Sequence, residues 1–226
     1  MHCAVSGFAN IFKEPYEACC ITGGRPHLKC HVASTAAEIE EHQRFRYDVF
    51  GKECGFLTEG DCPDGRDCDD FDRCSAHFMV READSGRIVA CSRLTFANPY
   101  GGSYTERFFD FPPLSCPRSA ICEVNRFGIS PQYRGRAGRR VRLLLFREML
   151  AMAKERGLTQ ALITVHRPFG MVLRRDGVPL VPIPASIRAY SGYYSRYFDP
   201  SDNEPFRVEV AALERFLLSE MQASPA

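Results

Sequence analysis

The alternation of apolar and polar positions divides the chain into a short series of elements. Two apolar runs, His77-Phe78-Met79-Val80 and Ile88-Val89-Ala90-Cys91-Ser92-Arg93-Leu94, flank Asp84-Ser85-Gly86 and predict a β-hairpin. Ile121–Ile129 predicts a third strand and Gln160–Val165 a buried one. Between them Val141, Leu144, Leu145, Met149 and Met152 recur at helical spacing, which predicts a helix over 139–156 closed by Gly157. Residues 35–50 open on a Ser/Thr cap and place Ile39, Phe45, Val49 and Phe50 at roughly helical intervals, a first helix. Phe169–Arg175 predicts a short helix stopped by Gly177, Val178–Ile183 a strand interrupted by prolines, and residues 208–221 a final helix. Residues 51–74 and 97–119 read as long loops. Residues 1–33 show no period, so residues 1–34 are expected to be an N-terminal extension and 35–226 a single domain. The order, a hairpin and then β-α-β-α-β, predicts an α/β (α+β) fold: a mixed central sheet flanked by helices in three layers.

Composition narrows the function without naming it. The same alternation also fits a flavodoxin-like sheet. Apolar residues are 45% of the 226, enough for a substantial core. A net charge of +1 argues against a nucleic-acid partner. No apolar run approaches the roughly 20 residues that span a bilayer, so no transmembrane segment is expected. The first residues, MHCAVSGFANIFKE, lack a basic segment and a long apolar segment, so no export signal is read. Eleven cysteines without such a signal are expected to be free thiols in a reducing cytoplasm. Cys54, Cys62, Cys68 and Cys74 form no C-x-x-C pair, and no metal site is assigned to them.

Charge is unevenly placed: residues 59–72 hold seven acids and only Arg66, whereas residues 134–147 hold six arginines. The second cluster begins at a turn of particular chemistry. The strand ends in Ile129-Ser130-Pro131, then Gln132-x-x-Gly135-x-Ala137 opens the Arg-rich helix. Unpaired first-turn amides and the helix dipole both attract phosphate oxygens, and small residues let a ligand approach the backbone. The spacing resembles the Q/R-x-x-G-x-G/A signature of the GNAT acyltransferases.

A second pattern runs through the chain. Arg46 and Phe50 stand four apart; Asp67, Asp69 and Asp72 follow, with Phe71 between; then Arg93 near a strand end, and Glu123-x-x-Arg126-Phe127. This order resembles the acyl-homoserine-lactone synthases and their relatives, the N-acyl amino acid synthases, the ornithine-lipid acyltransferases and the exosortase-associated acyltransferases. Phe71-Asp72-x-x-x-x-His77, Tyr133-Arg134 and the segment from Pro168 to Gly177 are similar to these relatives. The resemblance covers roughly residues 40–180. It implies a GNAT-like fold with the donor arm between two splayed parallel strands. It also implies an N-acyltransferase that moves a fatty acyl group from an acyl thioester, acyl carrier protein in the first place or acyl-CoA, to the α-amine of an amino acid-type acceptor. No resident cofactor is implied, and the carrier protein would be a transient partner. Departures bear on the acceptor: the chain has no Trp, Phe56 standing nearest the usual place; Asp67 stands for a common Glu, and Asn125 for a common Ser. An acyl-homoserine-lactone synthase using S-adenosylmethionine and a non-catalytic acyl-thioester binding module remain as alternatives.

The chemistry assigns roles. An α-amine, with a pKa of about 7.7–8.0, gives up its proton near neutrality at little cost, whereas a side-chain amine near 10.4 does not. Glu123, an acid in an apolar strand, is the candidate base, since burial raises a carboxyl's pKa; the alternative is a strand-end ion pair with Arg126 or Arg93. Glu123 and Arg126, the two candidate catalytic residues, would face opposite sides of a regular strand, and only a bulge would reunite them. Arg46, Asp67, Asp69, Asp72 and Arg93 are expected to form a charged network that orders the acidic loop over the acceptor. Donor contacts are expected from Phe127, Ile129, Gln132, Arg134, Gly135, Arg136 and Ala137, with backbone amides near 127–129 holding the oxyanion. The remaining arginines of the helix offer a face for an acidic carrier. Phe108, Phe109, Phe111 and Leu114 are candidates for the acyl pocket. Cys122 as an acyl-cysteine and His77 or His166 in catalysis are minor candidates.

Overall fold

A computed structural model describes residues 27–97, 102–188 and 202–223. Its elements are β1 (Leu28–Val32), α1 (Ala36–Tyr47), β2 (Ser75–Glu82), β3 (Ile88–Thr95), β4 (Phe109–Asp110), β5 (Ile121–Ile129), α2 (Arg136–Glu155), β6 (Gln160–His166), α3 (Arg167–Arg175), β7 (Val181–Pro182), β8 (Ser186–Ile187), β9 (Asn203–Glu209) and α4 (Val210–Ala223). The main sheet has the order β1-β2-β3-β5-β6-β9-β7, and β4 pairs with β8 apart from it. Only β5 and β6 run parallel, which α2 makes possible as the crossover between them. The flavodoxin-like alternative is thereby removed.

The pleat sorts side chains into two layers. Ala76, Phe78, Val80, Ala90, Leu94, Cys122 and Val124 pack with Val141, Leu145 and Met149 of α2 in the main core. The opposite face, carrying His77, Arg93 and Asn125, meets α1 and the acidic segment. Thr35 caps α1 reciprocally: its Oγ1 accepts from the Glu38 amide at 3.2 Å and Glu38 Oε2 accepts from the Thr35 amide at 3.1 Å. The helix buries His42, Gln43, Arg46 and Tyr47 rather than the apolar stripe read from the sequence. Ile39 and Phe45 are half-buried, and Val49 and Phe50 fall in a π-helical turn, Asp48–Glu53. The polar face turns inward because its partners are buried acids.

Other departures have local causes. Strand β1 lies within the stretch expected to be a loosely structured N-terminal extension; it pairs antiparallel with β2, from Leu28↔Glu82 to Val32↔Phe78. The remainder of that stretch, residues 1–26, lies outside the described residues. The proline-rich Val178–Ile183 yields only the two-residue β7. Strand β9 occupies residues expected in part to be the final helix, and pairs with β6 from Gln160↔Glu209 to His166↔Asn203. Its Pro205 hides it from a sequence reading, yet is tolerated beside the short edge strand β7, where its carbonyl still accepts from the Ile183 amide at 3.0 Å. Helix α2 begins at Arg136, three residues earlier than its apolar period indicates.

Candidate active site

Strands β5 and β6 pair in parallel only from Ile121↔Gln160 to Val124↔Ile163. Beyond that pair they part, and a cleft of about 180 Å³ opens between them. Phe50, Phe56, Tyr104, Asn125, Arg126, Phe127, Thr164, His166 and Phe169 are among its lining residues. The Ser130 amide donates to Val89 O at 2.9 Å, toward β3. By the alternation of a strand's amides, Phe127 and Ile129 then turn their N–H groups toward the cleft. Downstream of β5, Gly135 (φ 67) starts α2 without a side-chain cap, the kind of helix start that suits an anion, although the Gly138 amide already donates to Gly135 O at 3.2 Å. Gln132 is exposed in the preceding 3-10 turn Pro131–Tyr133. Gly138, which the sequence pattern does not single out, is also required there: a Cβ at that position would lie 2.9 Å from Tyr133 O and 2.8 Å from Arg142 Nη1.

The bulge needed to bring Glu123 and Arg126 to one side is present. Pairing of β3 with β5 steps from Arg93↔Asn125 to Cys91↔Gly128, so two residues of β3 answer three of β5. Arg126 sits in the extra step with φ 54, the only non-glycine residue with positive φ among the described residues. Such a backbone costs on the order of 1–2 kcal/mol. Its side chain is held accordingly: Nε lies 2.8 Å from Asp67 Oδ2, Nη2 3.0 Å from Asp69 Oδ2, and Nη1 donates to Tyr104 Oη at 3.0 Å.

Those contacts belong to a buried lattice of three arginines and three aspartates. Arg46 Nε is 2.9 Å from Asp67 and its Nη1 2.6 Å from Asp72; Arg93 reaches Asp72 at 2.6 Å and Asp69 at 3.0 Å. All six are buried or nearly so, and their formal charges cancel. Burial alone would raise the Asp67 carboxyl; Arg126 and Arg46 overcome it and hold Asp67 below its ordinary value. Arg93 and Arg126 do the same for Asp69, and Arg46 and Arg93 for Asp72. The acidic stretch is thus pinned to the sheet, with Asp69 and Asp72 closing a capping box on the short 3-10 helix Asp70–Cys74.

Glu123 stands apart from this lattice. Its carboxylate is held by the amides of Tyr104 (2.6 Å) and Thr105 (2.7 Å) and by the Thr105 hydroxyl, not by Arg126 or Arg93. Burial pushes its pKa up to about 7, against the lowering pull of the Thr105 and Tyr104 hydrogen bonds. It faces a second cavity of about 560 Å³, lined also by Thr95, Glu106, Phe111, Leu114 and Arg118. Tyr104 and Thr105, the latter marked by no sequence signal, therefore organise the site.

Other expected residues are distributed differently. Phe111 and Leu114 line that larger cavity, but Phe108 and Phe109 are buried against Phe71 and Tyr104 and line neither space. A third, wholly apolar slot of about 40 Å³ beneath α2 shares Val124 and Ile163 with the cleft. Cys122 donates weakly to Gln160 O and burial pushes its thiol up to about 12, which makes it inert as a nucleophile. His77 is buried with Nε2 3.2 Å from Asp72 O, away from the cleft; His166 lines the cleft mouth. The arginine cluster is largely ion-paired within the molecule: Arg142 pairs with Asp176, Arg139 with Glu220, Arg147 with Glu148, and, before α2, Arg134 with Glu53. Among the described residues no cluster of His, Cys, Asp or Glu is arranged to hold a metal ion, and no helix is long and apolar enough to cross a membrane.

Residues 45–144 match the acetyltransferase (GNAT) domain model. This chain has a GNAT-like fold and is an acyltransferase. It is 29% identical over 150 residues to an acyl-homoserine-lactone synthase of Aeromonas salmonicida, covering 63% of this chain and 70% of the relative. It is 30% identical over 115 residues to an L-ornithine N(alpha)-acyltransferase of Rhodobacter capsulatus, covering 47% of this chain and 44% of that protein. Among solved structures, the chain is similar in fold to the CoA-dependent acyl-homoserine lactone synthase BjaI with SAM and isopentyl-CoA (TM-score 0.59, 19% identity, 88% of this chain and 92% of that one). It is similar also to FeeM, an N-acyl amino acid synthase from uncultured soil microbes (TM-score 0.58, 12% identity, 89% and 100%).

Proposed function

We propose that the protein transfers a fatty acyl group from a phosphopantetheine thioester, carried by acyl carrier protein, to the α-amine of an amino acid-type acceptor. The observation that carries this reading is the parting of β5 from β6 after Val124–Ile163, which opens a cleft lined by Tyr104, Phe127 and Thr164; strand alternation turns the Phe127 and Ile129 amides to that side, and α2 follows β5 with an uncapped start. A pantetheine arm pairs with such strand amides, and its phosphate suits the helix N-terminus. The thioester then lies beside Thr164 and Tyr104, and the acyl chain continues past Val124 and Ile163 into the apolar slot. Arg134 and Arg139, 44% and 40% exposed although each pairs with a glutamate, offer positive charge to an acidic carrier. The arginine–aspartate lattice is neutral, each of its three guanidinium groups being paired with aspartate. Its part is to fix the Arg126 bulge and the acidic segment that carries Phe56 to the cleft.

The test is product analysis. Purified protein is incubated with decanoyl-acyl carrier protein or decanoyl-CoA and a panel of amino acids, ornithine and S-adenosylmethionine. An N-decanoyl amino acid formed faster from the carrier-protein thioester is the expected result. A homoserine lactone from the S-adenosylmethionine arm would shift the reading to the signal synthases that the Aeromonas relative represents. Absence of any amide product overturns it.

A further inference from the structure

Glu123, the strongest candidate base, does not itself line the cleft between the splayed strands; it faces the larger cavity on the other side of the Tyr104–Thr105 turn. A chain of hydroxyls spans the gap. Thr105 is fully buried, and its Oγ1 touches Glu123 Oε1 on one side and lies 2.8 Å from Thr164 Oγ1 on the other. Thr164 is only half-buried and lines the cleft. We propose that Thr164 and Thr105 form a proton relay that connects the reacting amine to Glu123. The inference rests on the acyl-transfer reading and adds to it two residues and a direction of proton flow.

The direction follows from donor and acceptor capacity. An ionised carboxylate only accepts, so Thr105 must give its hydroxyl proton to Glu123. Thr105 Oγ1 then accepts from Thr164, which leaves the lone pairs of Thr164 turned to the cleft, ready for an N–H proton. With Glu123 protonated the sense reverses: the acid donates to Thr105, Thr105 to Thr164, and Thr164 into the cleft. The wire is therefore a base in one state and an acid in the other.

The step balances on that basis. The amine nitrogen adds to the thioester carbon, forming the C–N bond and moving the carbonyl pair onto oxygen. The excess N–H proton passes to Thr164, that of Thr164 to Thr105, and that of Thr105 to Glu123. The oxyanion collapses, the C–S bond breaks, and the thiolate receives the proton back along the same chain. One thioester and one amine give one amide and one thiol, with Glu123 restored. The carboxyl's burial-raised pKa of about 7 suits both halves, being close to that of an α-amine. The charges facing it are Arg93 of β3, whose field lowers its pKa, and across the larger cavity Glu106 and Arg118, which pair with each other.

Thr164→Val keeps shape and removes the hydroxyl. With decanoyl-CoA and the amino acid that gives product with the wild type, it is expected to lower kcat by about 10²-fold, leave the donor KM unchanged and abolish the titration near pH 7 in kcat/KM. Thr164→Ser, which restores the oxygen, is expected to recover the rate and the titration to within a few-fold. A Thr164→Val enzyme that keeps the wild-type rate and pH profile overturns the relay while leaving acyl transfer intact. A wild-type protein that makes no amide overturns both. A loss in Thr164→Val that Thr164→Ser does not restore, with wild-type urea unfolding midpoints, assigns Thr164 to packing and also overturns the relay.

Discussion

Arg126 and Asp67 meet at 2.8 Å with neither side chain open to solvent, and the contact lies at the one described non-glycine residue whose backbone has positive φ. The ion pair and the bulge support each other. Asp67 also holds Arg46, so its removal would leave two buried guanidinium groups short of an anion. Breaking one partner of a buried ion pair costs about 3–5 kcal/mol. Asp67→Asn is expected to lower unfolding free energy by an amount in that range and to lower kcat as the bulge relaxes. Urea titration and steady-state rates check this; an unchanged unfolding midpoint would remove the lattice from any structural role.

Stability should respond to acid in two opposed ways. Asp67, Asp69 and Asp72 have folded pKa values below their ordinary 3.8, so their contribution is present above that pH and is lost as pH falls below it. Glu123 is raised from 4.5 to about 7, so the folded state holds a proton that the unfolded chain has lost across that window, and stability falls as pH rises through it. Glu123→Gln is expected to flatten the decline between those values and leave the acid limb unchanged. Urea midpoints measured across the range decide it, and a slope unaffected by the substitution would show that Glu123 titrates normally.

Much of this site was legible because its charged residues recur in a fixed order. Arg46, Asp67, Asp69, Asp72, Arg93 and Arg126, drawn from distant segments, meet in one lattice. Strand β5 matches its apolar run end to end. What stayed hidden depends on tertiary contacts. The inward face of α1 is polar and so defeats an apolar periodicity. Strand β1 takes its register from β2, and β9 from β6. Tyr104 and Thr105 matter through backbone amides, which carry no residue signature.

Gly138 provides a test of the donor turn that leaves the charged residues alone. A methyl group there would press on the Tyr133 carbonyl at 2.9 Å, backbone that cannot easily give, and on the Arg142 guanidinium. Overpacking of this kind costs about 1–3 kcal/mol. Gly138→Ala is expected to raise the KM for the thioester donor by roughly tenfold with kcat little changed, because the damage falls on a phosphate contact that is equal in ground and transition states. A fall in kcat with KM unchanged would place the turn outside the donor site.

Two spaces compete for the acyl chain, and they make opposite predictions. The slot beneath α2 is wholly apolar and continues from the cleft through Val124 and Ile163; the larger cavity carries Phe111 and Leu114 but also Glu106, Arg118 and Glu123. A buried methylene gains about 0.8 kcal/mol only where no polar group loses water, which is roughly fourfold in affinity per carbon. The slot meets that condition and the larger cavity does not. At about 40 Å³ it is narrow as it stands, so longer chains must displace the pliant Met149 side chain that lines it. Ala153→Leu, which fills the slot from α2, is expected to shift preference toward shorter acyl-CoA donors, each lost methylene contact weakening binding about fourfold. Leu114→Phe in the larger cavity should leave chain length unaffected. Competition assays with a series of acyl-CoA lengths read both variants, and the reverse pattern would move the acyl chain to the Phe111 side.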